Sequence, residues 1–404
     1  MATVKGDARM AAVLRRALWS QVGSPTEDLV YVRGGSRYRV AASRIADIIA
    51  DLRTGPRYDA GRHALPQRIA HLVLVQLESR GATPDDRDQR SVAASTQVKR
   101  YVNGLWPKLT ADQVLFRLLS DPVFRHSAAD GVLSAEEQAV LSWRKPPRSV
   151  RSVRWSVHDA VLLDELADLI ERTGSISHLT VDEAQDLSPM QCRALGRRCA
   201  NGSLTILGDI AQSTSPWAVD DWATLLAHLD KPETRIAVLD RGFRVPAEIL
   251  DYAARLLPRI APGLAAPTSV RHSAGSLRIT RTTAQHLPDE VVVACQERLD
   301  QPGSVGVIAA DAAITTIHGQ LCRAGLSAGL LGDDDAPEGA RLVCVPASLA
   351  KGLEFDAVIV TEPAEIVDAE ARGLHRLYVV LTRAVTSLHV IHSGPLPQPL
   401  DAEP

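Results

Sequence analysis

Asp182 and Glu183 close the apolar run Leu179-Thr180-Val181 and are followed by Ala184-Gln185-Asp186. A buried parallel strand delivers acids to the carboxyl edge of a sheet in this way, and ligands of α/β folds bind at that edge. In a nucleotide hydrolase the first carboxylate holds Mg²⁺ and the second polarises the attacking water. Taken alone, the same pair equally fits a cap on the helix that follows.

Four more strings point to the same chemistry. Leu207-Gly208-Asp209-Ile210-Ala211-Gln212-Ser213 follows a strand-like run, and the neutral amide of Gln212 suits sensing a terminal phosphate. Asp240-Arg241-Gly242-Phe243-Arg244-Val245-Pro246 sets Arg244 just before a helix. Ala350-Lys351-Gly352-Leu353-Glu354-Phe355-Asp356 leads into the strand Ala357-Val358-Ile359-Val360, and Leu377 to Ala384 carries Thr382-Arg383. Phosphoryl transfer needs positive charge near the γ-phosphate, and a guanidinium supplies it with a fixed donor fork. Singly, Gln212 fits a Gly-Asp turn with a solvent-facing amide, and Arg244 and Arg383 fit surface ion pairs. Five strings in one order make coincidence a poor account.

One part of a nucleotide site is not written here. The six lysines, at 5, 99, 108, 145, 231 and 351, are never followed by Ser or Thr, so no G-x-x-x-x-G-K-[ST] loop is present.

These strings need elements to position them, and 404 residues suffice for two or three domains with cores of their own. Residues 1–150 read as mainly helical, with apolar positions at helical spacing over Ala8 to Trp19, Ala41 to Leu52 and Pro66 to Leu77. Between the first two, Asp28 to Val40 has the Gly-punctuated pattern of a β-hairpin, and 82–92 is a polar loop. Residues 143–155 form a Pro-broken basic connector, placing a boundary near 150. Its Arg144, Lys145, Arg148, Arg151 and Arg154, between Trp143 and Trp155, fit either a nucleic-acid groove or, more simply, a solvated linker. Beyond it strands and helices alternate: helix 159–172, strand 178–182, a helix from Ser188-Pro189 to Cys199, strands 203–207 and 235–239, and a helix from Pro246. Residues 258–276 read as a linker or a mobile insertion, followed by strands near 277–281, 305–309, 341–345, 357–361 and 387–392, and a disordered tail over 394–404. The alternation implies an α/β protein with parallel sheets flanked by helices.

Bulk properties exclude several classes. Apolar content of 45% and charged content of 23% are ordinary for a globular domain, and a net charge of −3 leaves no wholesale nucleic-acid coat, only a local groove. Five cysteines without C-x-x-C spacing argue against a disulfide framework or a zinc site. No apolar run approaches the ~18 residues of a membrane span, and the first residues lack a signal-peptide core. The expected location is the cytoplasm, with no membrane partner.

Residues from about 152 to 392 resemble the second half of a UvrD/Rep-type superfamily 1 helicase motor, and the wording is similar to the HelD (helicase IV-like) branch. Weaker similarity runs back through Leu105-Trp106-Pro107-Lys108-Leu109-Thr110. The resemblance implies RecA-like lobes: a mainly helical insertion with a remnant of the first lobe over 1–150, the rest of the first lobe over 151–245, and a second lobe over 246–393. It implies ATP and Mg²⁺ as cofactors, with Asp182 on the metal and Glu183 as the water-activating base. Gln212, Arg244 and Arg383 then sense the γ-phosphate, Glu354 contacts the ribose, and Lys351 and Gly352 lie in a coupling loop. Trp217 falls where such helicases carry an aromatic that stacks on a base of single-stranded DNA, worth ~1–3 kcal/mol per base. A tryptophan half-buried beneath the next helix fits Trp217 equally well.

The chain also departs from that family. The usual Thr-x-His-Ser lead-in is Pro346-Ala347-Ser348-Leu349 here, which removes nucleic-acid contacts that the lead-in makes. The adenine-binding glutamine, the P-loop lysine and the first single-strand motif have no counterpart. That implies a truncated product, a mis-assigned start, or a split protein whose P-loop half comes from a separate chain. Each lost P-loop bond to phosphate is charge-assisted and worth ~1.5–3 kcal/mol, so the chain alone is expected to bind ATP poorly and hydrolyse it negligibly. The function implied is ATP-dependent translocation on, or unwinding of, nucleic acid. Alternatives are an RNA polymerase-binding recycling ATPase of the HelD type and a non-catalytic fragment serving as a binding module.

Overall fold

The computed structural model describes residues 1–55, 57–200, 202–332 and 339–401. Two compact units emerge. The first comprises Met1–Thr180, Leu187–Thr205 and Ala227–Lys231; the second comprises Val181–Asp186, Ile206–Leu226 and Pro232–Pro404.

The first unit is mainly helical around one apolar core, in which Met10, Leu14, Leu18, Tyr58, Leu65, Ile69 and Trp106 are sealed from solvent. Trp19, Tyr58 and Trp106 meet in a triangle with ring centroids 5.6 to 5.8 Å apart. Gly61 makes room for it, because a Cβ there would stand 2.5 Å from the Trp106 ring. The helix carrying Gly61 runs over Tyr58–Glu78, with Pro66 inside it rather than at its start as the sequence suggests. The hairpin is present as β1 (Leu29–Arg33) paired antiparallel with β2 (Ser36–Val40). Its turn uses Gly34 and Gly35 at φ +56° and +80°, the left-handed pair that a two-residue hairpin turn needs.

Two expectations for this unit need correction. Residues 82–92 are not all loop: Asp85 and Asp88 form a reciprocal cap on a helix over Asp86–Ala94. The basic connector at 143–155 does not divide domains, since Trp143 and Trp155 lie with rings 6.0 Å apart and both pack on the first unit's core. The boundary expected near 150 therefore falls inside the first unit, which continues through a capped helix over Val157–Ile170.

Next in the chain are β3 (His178–Val181) and β4 (Ser203–Ile206), a sheet of only these two strands among the described residues. A two-residue parallel pair follows, β5 (Arg241–Gly242) with β6 (Thr268–Ser269). The strand expected over 235–239 does not form; that stretch has no regular secondary structure and is exposed. Residues 258–276 are more ordered than a linker, holding β6 and the end of a short helix over Leu257–Ile260.

The second unit is built on six parallel strands: β7 (Leu277–Arg281), β8 (Val305–Ala309), β9 (Ala328–Leu330), β10 (Leu342–Pro346), β11 (Phe355–Thr361) and β12 (Ala384–His392). Their spatial order is β7-β12-β11-β8-β10-β9, and every pairing is parallel. Both faces are covered, as all-parallel sheets require. Ile308, Val358 and Val360 enter one core, while Val307 and Ile359, one residue along, enter the other. This is the α/β class read from the sequence. In the tail expected to be disordered, Leu400 is 2% exposed and joins the first of these cores; residues 402–404 lie outside the described residues. No helix among the described residues is long and apolar enough to cross a membrane.

Candidate functional site

All the residues singled out for chemistry fall in the second unit. The chain leaves β3 through Asp182 into Glu183, which adopts φ +52°, a left-handed conformation that costs a non-glycine residue about 1 kcal/mol or more. The Asp182 carboxylate steadies this corner by accepting the Glu183 amide at 2.8 Å. Both acids are exposed at the surface.

Gln185, fully buried, ties the acid corner to the second string. Its Nε2 donates to Glu183 at 2.5 Å, and its Oε1 accepts the Asp209 amide at 3.0 Å. Gly208 is required there, because a Cβ on it would stand 2.3 Å from Gln185 Oε1. Asp209 in turn accepts Gln212 Nε2 at 2.9 Å, and Gln212 Oε1 accepts from Arg383 Nη2 at 3.0 Å. Arg383 is 5% exposed, and it also donates to the carbonyls of Val379 and Leu353. Burial, with Arg244 nearby, pulls its pKa below the usual arginine value, while Glu354, Glu183 and Asp209 oppose that shift.

Lys351 approaches from the other side. Its ammonium lies 2.6 Å from Asp186 and 3.4 Å from Glu183, and it donates to the Gln212 carbonyl at 2.9 Å. Gly352, the next residue, turns the chain at φ +80°. Arg244 and Glu354, both about half-exposed, form an ion pair. Five acids, two amides, two guanidiniums and one ammonium are thus gathered by hydrogen bonds and charge. Trp217 is half-buried, with its indole N–H donating to the Asp186 carbonyl at 2.8 Å.

Sequence reasoning missed two members. Gln185 could have been suspected from its place between two acids. Arg372 gave no signal, because it belongs to none of the strings and two of its four partners are main-chain carbonyls. It donates to the carbonyls of Ser213 at 2.9 Å and Ala218 at 3.4 Å, and pairs with Asp220 at 3.1 Å, so it clamps the loop that carries Trp217. His375, 2.9 Å from Arg372, is half-buried, and desolvation with that neighbouring charge lowers its pKa to about 4.

A cavity of about 630 Å³ opens elsewhere in the unit, beyond the ends of β8 and β10. Its rim bears Asp311, Glu365, Asp368 and Glu370 against Arg376 alone, which disfavours a phosphate. Among the described residues no group of three or more His, Cys, Asp or Glu is placed to hold a metal without further ligands.

No family model and no curated protein matches the chain. Among solved structures, the C-terminal domain of a possible DNA helicase from Lactobacillus plantarum WCFS1 is 22% identical, over 39% of this chain and 92% of that one, with a TM-score of 0.32. An Arterivirus nonstructural protein 10 (helicase), solved in complex with DNA, is 15% identical, over 55% of this chain and 41% of that one, with a TM-score of 0.30.

Proposed function

We propose that this chain carries one side of an ATP site in a nucleic-acid motor of the UvrD/Rep type, HelD branch, and that ATP hydrolysis drives movement along single-stranded DNA. The observation that supports the reading is the continuous chain of bonds from Glu183 through Gln185, Asp209 and Gln212 to Arg383. It joins strings far apart in sequence that have one chemistry in common.

The residues fit a Mg²⁺-nucleotide. Asp182 is exposed and uses only one oxygen, on its neighbour's amide, so the other would be open to a Mg²⁺. The metal supplies charge neutralisation between phosphate oxygens. Glu183 orients and deprotonates the attacking water. Arg383 and Arg244 hold the charge that develops on the γ-phosphate. Gln212 reports its presence, because a phosphate that draws Arg383 frees the amide oxygen. Glu354 contacts the ribose while paired with Arg244, so the sugar and the phosphate are read by neighbouring groups. Trp217 meets a base. Lys351 keeps Glu183 and Asp186 from repelling each other while the site is idle.

Equilibrium titration with a fluorescent ATP analogue and Mg²⁺ tests this. Weak binding, lost in Arg383→Ala and dependent on Mg²⁺, is the expected result, with negligible phosphate release by the chain alone. Binding that ignores both changes refutes the reading. Retention of purified RNA polymerase, with no unwinding of a tailed duplex once a P-loop half is supplied, would favour the polymerase-recycling alternative.

A further inference from the structure

Arg271 stands outside every string that carries chemistry, yet it ties two of them together. It lies two residues beyond β6 (Thr268–Ser269) and is half-buried. From one nitrogen, Nη1, it donates to the Arg244 carbonyl at 2.5 Å and to the Val385 carbonyl at 3.0 Å. Val385 comes two residues after Arg383. One guanidinium thus grips the main chain beside each of the two guanidiniums assigned to the γ-phosphate.

The sheet leaves room for this grip. Phe355 pairs with Ala384 and Ala357 with Ser387, so Val385 and Thr386 of β12 oppose the single residue Asp356 of β11. Such a bulge leaves its extra residue out of the ladder, and Arg271 supplies a donor there. Arg271 is itself held on the Arg244 side. Its N–H donates to Ser269 Oγ at 3.1 Å, Ser269 Oγ donates to the Val245 carbonyl at 2.6 Å, and Ala247 N–H donates to the Arg271 carbonyl at 2.8 Å. Segment 242–247 is laced to 269–271 in this way, and the Arg271 side chain carries the lacing across to β12. Bonds from a charged donor are short and strong, and groups fixed before a ligand arrives need no ordering when it binds.

We propose that Arg271 is a positioning residue that sets the spacing of Arg244 and Arg383, so that both meet one terminal phosphate, and that it thereby gives the site a preference for a nucleoside triphosphate over a diphosphate. The triphosphate preference rests on the nucleotide reading above; the brace between the two chain segments does not.

The probes are Mg²⁺-ATP and Mg²⁺-ADP, each competed against the fluorescent ATP analogue on the full chain. Arg271→Ala should bind ADP as the parent does and lose about tenfold or more of the parent's preference for ATP. A merely structural role would weaken both nucleotides alike. Without nucleotide, Arg271→Ala should speed hydrogen exchange about tenfold at both 242–247 and 384–387, with 305–309 unchanged. Ser269→Ala, which releases the Val245 carbonyl, should speed the first segment and leave the second as in the parent. Arg278→Ala, which removes an exposed arginine paired with Glu297, should change neither. Circular dichroism checks folding, and Arg271→Gln, too short to span both carbonyls, should repeat the pattern where the alanine variant unfolds. Equal weakening of ATP and ADP, a surviving ATP preference, or faster exchange at one segment alone would overturn the proposal. A parent chain that takes ATP and ADP equally, with both segments still loosened by Arg271→Ala, keeps the brace and removes the nucleotide reading.

Discussion

Arg383 Nη2 and Gln212 Oε1 lie 3.0 Å apart although 171 positions separate them in the chain. The guanidinium is almost sealed from water and shares its donors among Gln212, Thr382 and two main-chain carbonyls. Arg383→Ala should therefore cost stability as well as ligand binding. Leaving buried acceptors without donors is worth ~1–3 kcal/mol, so urea denaturation should show a loss of that order. Arg383→Lys should recover little of it, because an ammonium cannot reproduce the fork. A variant as stable as the parent would contradict the arrangement.

Gly208 lies against Gln185, and no side chain fits between them. Gly208→Ala should cost ~1–3 kcal/mol, the range for overpacking, because although Gly208 is exposed its new Cβ would press on buried Gln185 and Ala184. Because Gln185 also positions Glu183, the variant should lose nucleotide binding out of proportion to its lost stability. Gly263→Ala, which meets nothing within 4 Å, is the matched control and should do neither.

The first unit holds an ion pair deep in its core. Lys5 Nζ is 2.5 Å from Asp159, with side chains 3% and 4% exposed. Burial alone would raise the Asp159 pKa, but hydrogen bonds from Lys5 and Ser156 outweigh it and hold the carboxyl below its ordinary 3.8. A depressed carboxylate stabilises the fold above its unfolded pKa, and that contribution fades as pH falls through the folded value. Thermal melts should thus show a fall in stability below about pH 4. Lys5→Ala, which strands a buried charge, should cost ~3–5 kcal/mol at neutral pH and soften that acid dependence. A small neutral-pH effect would mean that water reaches the pair.

Arg372 and His375 make a separate, milder pH device. The half-buried His375 is neutral in the folded protein at neutral pH, with its pKa about 4 against an ordinary 6.5. The unfolded chain therefore binds the extra proton first, so stability should rise with pH between those two values. His375→Gln should flatten the profile in that window. Arg372→Ala should free the loop 213–220, seen as faster hydrogen exchange there with the sheet unchanged.

Much of the second unit was legible in the sequence. Strands buried on both faces read as unbroken apolar runs, so Val305–Ala309 and Phe355–Thr361 announce themselves. β9 did not, because Ala-Gly-Leu is too short and too small to make a pattern. The helix over Asp86–Ala94 hid because its polar residues mask the apolar spacing and only its cap marks it. The expected boundary near 150 misled for a related reason: Pro and Arg suggested a linker, but Trp143 and Trp155 anchor the segment to a core that no local pattern reveals. The chemistry-bearing side chains could be picked out one by one. Their mutual bonds could not, since Lys351 reaching Asp186 and Arg372 reaching main-chain oxygens depend on the folded path alone.

The six tryptophans are unevenly distributed. Trp19, Trp106, Trp143 and Trp155 belong to the first unit's core, whereas Trp217 hangs on the Asp186 carbonyl and Trp222 lies against Gly208. Tryptophan emission, excited selectively over tyrosine, from a protein stripped of the first four would come wholly from the neighbourhood of the acidic corner. The fold thus contains its own unlabelled optical gauge, able to register a ligand arriving there without any dye.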